Sequence, residues 1–193
     1  MMRYVLYMFK ISSILALLIA FAAGPSGAGL SAEDYYNTGI SYADAGELEL
    51  AKGSLMKAIE TKPDYAKAFN AIGTICYEEG KNDLAVAAFQ KALQVDAEYV
   101  DPHYNMGILL TKLKQYGAAL FYYQTAIDLD PHLGNCYNNI AIVRYFLQDF
   151  ENSEKDVAKA SQLGVKVNPL FIKALKEARN NQNKAVDKTK QSK

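Results

Sequence analysis

Small, aromatic and large apolar side chains recur along this chain at one fixed offset, with polar side chains between them. Gly39, Gly73, Gly107 and Ala141 form one column at that offset. Ala51, Ala85, Ala119 and Ser153 form a second, and Ala58, Ala92, Ala126 and Ala160 a third. Aromatic residues stand four before the first column at Tyr35, Phe69 and Tyr137, with His103 the exception. Large side chains stand four after the second, at Leu55, Phe89, Tyr123 and Val157. The register holds without insertion through 32–65, 66–99, 100–133 and 134–167, which marks a repeat architecture. Each unit predicts two helices, such as 67–79 and 83–95, with Gly80 taking the left-handed conformation that ends the first. The small columns mark close helix approach, and the large residues fill the space around them. Pro63 and Pro131 stop the second helices of units one and three. Asp101-Pro102 predicts a helix start, with the carboxylate as cap and proline where no N–H is needed.

The periodicity ends at 167, and Asn168-Pro169 opens one more amphipathic helix. Leu170, Phe171, Ala174, Leu175 and Ala178 share a face opposite Lys173, Lys176 and Glu177. This predicts a helix over 169–181, within a segment 168–182, that covers the last unit; a free membrane-surface or partner helix is the alternative. Residues 183–193 carry four Lys and one Asp and read as a disordered tail.

Residues 1–28 read differently. Arg3 and Lys10 precede an uncharged apolar run from Ile11 to Ala23, followed by small residues, the pattern of a secretory signal. Cleavage is expected before Gly29, or near Ala22 to Gly24, leaving 29–31 as a short linker. An uncleaved N-terminal anchor is the alternative, since about 20 apolar residues are needed to span a bilayer. Either reading places the chain in the periplasm, the cell envelope or the secreted space.

The columns resemble the tetratricopeptide repeat (TPR) family, whose pattern is aromatic, Leu, Gly, Tyr, Ala, Phe, Ala and Pro at fixed places in each unit. Repeat one matches at Tyr35, Gly39, Tyr42, Ala51, Ala58 and Pro63. Repeat two matches at Phe69, Ile72, Gly73, Ala85, Phe89 and Ala92, with Cys76 in the Tyr place. Repeat three matches at Met106, Gly107, Ala119, Tyr123, Ala126 and Pro131. Repeat four is degenerate, with Arg144 in the Tyr place, Ser153 for Ala and Val165 for Pro, as expected of a terminal unit. The resemblance implies an all-α, right-handed α-solenoid of four TPR helix pairs plus a C-terminal capping helix, with first helices lining a concave face. The ligand-facing places of the family hold Tyr36, Asn37, Asn70, Tyr77, Tyr104, Asn105, Ile108, Asn138, Asn139, Ile142 and Tyr145 here, so these are the expected partner-binding residues. Asn37, Asn105 and Asn139 share one place and would form a ladder of amides suited to an extended peptide backbone. Packing preference alone is the competing account of those asparagines. Lys67 and Lys112 are the basic residues among the ligand-facing places, and they stand in different repeats. No carboxylate clamp of the chaperone-docking kind is therefore expected.

Composition narrows the chemistry. Lys plus Arg equal Asp plus Glu at 21 each among 193 residues. With 1–28 and the tail set aside, 29–183 holds 15 basic and 20 acidic side chains. An acidic body is a poor nucleic-acid binder. Two cysteines and two histidines exclude a disulfide scaffold and a multi-His metal site. Cys76 and Cys136 lie in repeats two and four with a whole repeat between them, too far to bridge. Cys76 is expected in the core and Cys136 nearer the surface, where an intermolecular bridge is conceivable. Arg144 is expected to snorkel or to pair with Glu151 or Glu154. With no catalytic constellation, metal site or cofactor motif in view, the expected function is non-enzymatic: a protein-interaction scaffold or assembly adaptor in the envelope. It would be a monomer or weak homo-oligomer, taking a protein or peptide segment on the concave face. Membrane contact would come only through an uncleaved N-terminus. An architectural, self-associating protein and an accessory subunit of an envelope enzyme are the alternatives.

Overall fold

The computed structural model describes residues 29–191, with side chains through Ala185. The expected signal or anchor therefore lies outside the described residues, and the helical unit begins at Ala32. Among the described residues there are nine helices and no strand: α1 (Ala32–Asp44), α2 (Leu48–Thr61), α3 (Ala66–Glu78), α4 (Asn82–Val95), α5 (Val100–Lys112), α6 (Tyr116–Leu129), α7 (Gly134–Phe146), α8 (Phe150–Gln162) and α9 (Pro169–Gln191). The first eight form four pairs, and each second helix packs on the first helix of the next pair.

The columns have a steric origin. A Cβ built on Gly39 would lie 2.8 Å from the Leu55 side chain, and one on Gly107 would collide with the Tyr123 ring. Leu55, Phe89 and Tyr123 are buried against these glycines, and Ala51, Ala85 and Ala119 are fully buried beside them. In repeat four Ala141 replaces glycine, and the smaller Val157 holds the large-residue place. The buried Ser153 hydroxyl donates to the Ala141 carbonyl at 2.7 Å, so the polar departure from the column is satisfied.

Every within-pair turn closes the same way. The N–H groups of Glu47, Lys81, Gln115 and Asp149 donate to the carbonyls of Tyr42, Cys76, Leu110 and Arg144 at 2.8–2.9 Å. This is a Schellman closure, and it needs a left-handed residue one position earlier. Gly46 and Gly80 supply it in the first two repeats, whereas Lys114 (φ 59°) and Gln148 (φ 60°) adopt it in the last two.

The structure corrects four expectations. Asp101 does not cap α5: the helix starts at Val100 after an extended Tyr99, with no side-chain cap bond. Cys136 is fully buried, its thiol 3.4 Å from the Tyr123 carbonyl, because α7 is packed between α6 and α8. Burial pushes that thiol up to about 12, so it offers no surface for an intermolecular bridge. Arg144 pairs with Asp156 at 2.6 Å, while Glu151 and Glu154 are held by Lys155 and Arg179. Asp156 lies on the buried side of α8, within reach of a side chain from α7; the two glutamates are more exposed.

The fourth correction concerns the end of the chain. The last helix runs on to Gln191, through most of the segment read as disordered. Ala, Lys, Gln and Asn tolerate helix well enough to extend a helix already nucleated by packing. The repeat register also continues into α9: Phe171 stands in the aromatic column, and Leu175 in the glycine column. Among the described residues no second helix presses on that position, so a large residue fits, and Leu175 is 1% exposed. Phe171 packs on Tyr145, and Arg179 pairs with Glu154 of α8. Leu170, expected on the covering face, is 75% exposed, since it precedes the turn that meets α7.

Candidate protein-binding face

Each first helix touches the next first helix: α1 meets α3, α3 meets α5, and α5 meets α7. In a curved stack the row with closer mutual spacing is the inner one, so these four helices form the concave wall.

Side-chain bonds cross that wall between repeats. Asn105 Nδ2 donates to Asn70 Oδ1 at 3.0 Å, and Asn139 Nδ2 donates to the Tyr104 hydroxyl at 3.2 Å. Each bond spans one repeat plus one position. Asn70 is nine-tenths buried, and Asn105 and Asn139 are half-buried. The ladder expected from Asn37, Asn105 and Asn139 is thus not a free row of amides. Two of the three brace neighbouring repeats, and Asn37 is exposed. The first rung is missing because Ala71 stands where Asn105 and Asn139 stand later.

The rest of the predicted face divides along its length. Tyr36 packs edge-on against Tyr65, centroids 5.4 Å apart. Burial, then the nearby Asp101 carboxylate, raises the Tyr99 phenol. Burial, then Asp101, raises the Tyr36 phenol; burial, then Glu33, raises that of Tyr65. These hydroxyls stay protonated and can donate to a ligand. Tyr77 lies under the Lys112 ammonium at 4.5 Å. Tyr104 lies 6.0 Å from Tyr123, and Ile108, Asn138 and Ile142 are half-buried along the wall. Tyr145 is taken by the fold: Phe150 and Phe171 each lie 5.6 Å from its ring, so α9 closes that end.

The sequence reading missed Tyr65 and Tyr99. They line a cleft of about 350 Å³ between the inter-repeat loops, together with Lys62, Asp64, Ala66, Lys67, Val95 and Asp96. Their signal was present, since both stand at the last place of a repeat. Among the described residues, no group of three or more His, Cys, Asp or Glu is placed to hold a metal ion.

Comparison with known families agrees with this architecture. The tetratricopeptide repeat profile matches 32–65 and 100–133, and a TPR repeat profile matches 73–114. The chain belongs to the tetratricopeptide-repeat family. It is similar in fold to MamA, at 20% identity and TM-score 0.64 over 76% of this chain and 82% of that one. YrrB, described as a TPR protein with an unusual peptide-binding site, is similar at 25% identity and TM-score 0.61, over 69% of each chain. The Cut9–Hcn1 assembly matches at 18% identity and TM-score 0.66; there this TPR chain covers 77% of itself but 30% of the other. Comparison with curated proteins finds no match.

Proposed function

We propose that this TPR protein is a non-enzymatic interaction scaffold that takes an extended partner segment along its concave face. The observation that carries this reading is the continuous inner wall of α1, α3, α5 and α7, on which Tyr36, Asn37, Tyr77, Ile108, Asn138 and Ile142 stand between braced positions. Tyrosine adds flat apolar area with a polar tip at low ordering cost, and Asn37 presents donor and acceptor to a peptide backbone. The braces at Asn70–Asn105 and Tyr104–Asn139 hold the wall in one curvature, which lowers the ordering cost of binding. YrrB's described peptide-binding site supports the same use of the fold. The apolar run after Arg3 and Lys10 supports export to the cell envelope or beyond.

Site-specific photo-crosslinking tests the reading. Cross-linkers at Asn37, Ile108 and Asn138 should capture one common partner, whereas those at the outward residues Met56 and Phe121 should not. Equal capture from both sets rejects the concave face. N-terminal sequencing of the protein from its native compartment tests export: a chain starting at Met1 rejects cleavage.

A further inference from the structure

The last place of a repeat holds Tyr65, Tyr99, Leu133 and Val167 in chain order. The fold accepts a half-buried Leu and a buried Val at that place, so the repeat does not impose tyrosine at the first two. Tyr65 and Tyr99 line the cleft of about 350 Å³, and Tyr36 meets Tyr65 edge-on from the concave wall. That volume is at the small end for ligand pockets, the size for one side chain rather than a large cofactor. Charge gives the cleft its sign. Asp64 and Asp96 line it against Lys62 and Lys67, which cancel in number. Two further carboxylates act on the tyrosines: Asp101 on Tyr36 and Tyr99, and Glu33 on Tyr65. The surroundings thus hold four carboxylates against two ammoniums. The Tyr65 ring already draws a cation, since the exposed Lys62 ammonium lies 5.3 Å from its centroid.

We propose that the cleft between Tyr65 and Tyr99 takes an arginine side chain of the partner segment. A planar guanidinium stacks on aromatic faces, forks its N–H donors to carboxylates, and is more weakly hydrated than an ammonium. Tyr65 and Tyr99 supply ring faces and hydroxyl oxygens that accept, and the surrounding carboxylates supply the opposite charge. Lys62 is the internal competitor: exposed and on a flexible stem, it swings aside as the guest guanidinium enters. The inference deepens the concave-face reading and rests on it, because the arginine enters beside Tyr36 as part of a segment lying along the wall.

The test is an NMR titration of the full chain with two capped peptides, acetyl-Gly-Arg-Gly-amide and acetyl-Gly-Glu-Gly-amide. The arginine peptide should move the backbone amides of Tyr65 and Tyr99 and bind about fivefold tighter than the glutamate peptide. Lys62→Gln should tighten the arginine peptide by about two- to fivefold, because a like charge and a competitor leave together. Asp101→Asn should weaken it by a similar factor. Both positions are exposed, so the variants should melt at the wild-type temperature. A preference for the glutamate peptide, or weaker arginine binding in Lys62→Gln, overturns the proposal by making the lysines an anion site. Equal affinity for the two peptides, no binding of either, or shifts confined to residues away from the cleft overturn it as well. Neither peptide is the native partner, so cross-linking through Asn37, Ile108 and Asn138 can succeed where this titration fails, and the two readings fall separately.

Discussion

Gly73 faces the Phe89 ring so closely that a Cβ on its α-carbon would lie 2.5 Å from the ring edge. The repeat register depends on this exclusion, since Phe89 is 1% exposed and has no other space to enter. Gly73→Ala should destabilise the protein by about 1–3 kcal/mol through overpacking, although alanine alone favours helix by up to about 1 kcal/mol. Phe89→Leu leaves a gap, and adding Gly73→Ala to it should cost less than the two singles combined. Urea unfolding of the two singles and the double checks this. Strict additivity would show that the two side chains do not meet.

Asn70 and Asn105 invite the same treatment. Removing either amide leaves its partner half-satisfied in a buried setting, a loss of about 1–2 kcal/mol per single variant to alanine. The double variant should lose less than the sum, because no orphan remains. Asn37 shares a column with Asn105 but is exposed, and Asn37→Ala should change stability by less than about 0.5 kcal/mol. A brace that is structural and an Asn that is ligand-facing are thereby separated in one denaturation series.

The distinction between those asparagines shows what was legible in the sequence. The columns at Gly39, Ala51 and Ala58 repeat because every pair closes in the same way, so periodicity yielded the helices, and the family resemblance it carries implied their stacking order. The Asn105–Asn70 and Asn139–Tyr104 bonds cross between repeats at one place plus a full period. Comparing like places therefore aligned Asn37 with Asn105 and hid their difference. Leu175 was obscure for the opposite reason. It breaks the glycine column, and a large residue fits because among the described residues no second helix packs on that place. The helix beyond 182 was hidden because lysine-rich composition describes a solvated helix and a disordered tail equally well.

Lys114 and Gln148 hold left-handed backbone where repeats one and two use Gly46 and Gly80. A left-handed residue with a Cβ costs about 1–2 kcal/mol, and glycine returns part of that through the entropy of the unfolded chain. Lys114→Gly and Gln148→Gly should each raise stability by up to about 1 kcal/mol, or about 2–4 °C in melting temperature. The reverse change, Gly80→Ala, should lower it by a similar amount. Calorimetry of the three variants decides, and a destabilised Lys114→Gly would mean that the lysine side chain compensates the backbone.

Asp156 gives the protein a pH dependence of unusual sign. Its carboxyl is pushed up to about 6 because burial outweighs the Arg144 guanidinium 2.6 Å away. In the unfolded chain an aspartate titrates near about 3.9. Between those values the folded state holds the proton and the unfolded state does not. The contribution of this group to stability is therefore full below about pH 4, falls as pH rises through 6, and is flat above. Two pH units of difference correspond to about 2–3 kcal/mol at most. Asp156→Asn removes the titration and keeps the shape, so the stability gap between wild type and variant should move in favour of the variant from about pH 4.5 to about pH 7. Other carboxylates, such as Glu79 beside Lys52, titrate alike in both proteins and cancel in that gap. Urea midpoints of the pair across that range measure it. A gap that stays constant with pH would place the Asp156 carboxyl in its ordinary range, with Arg144 and not burial controlling it.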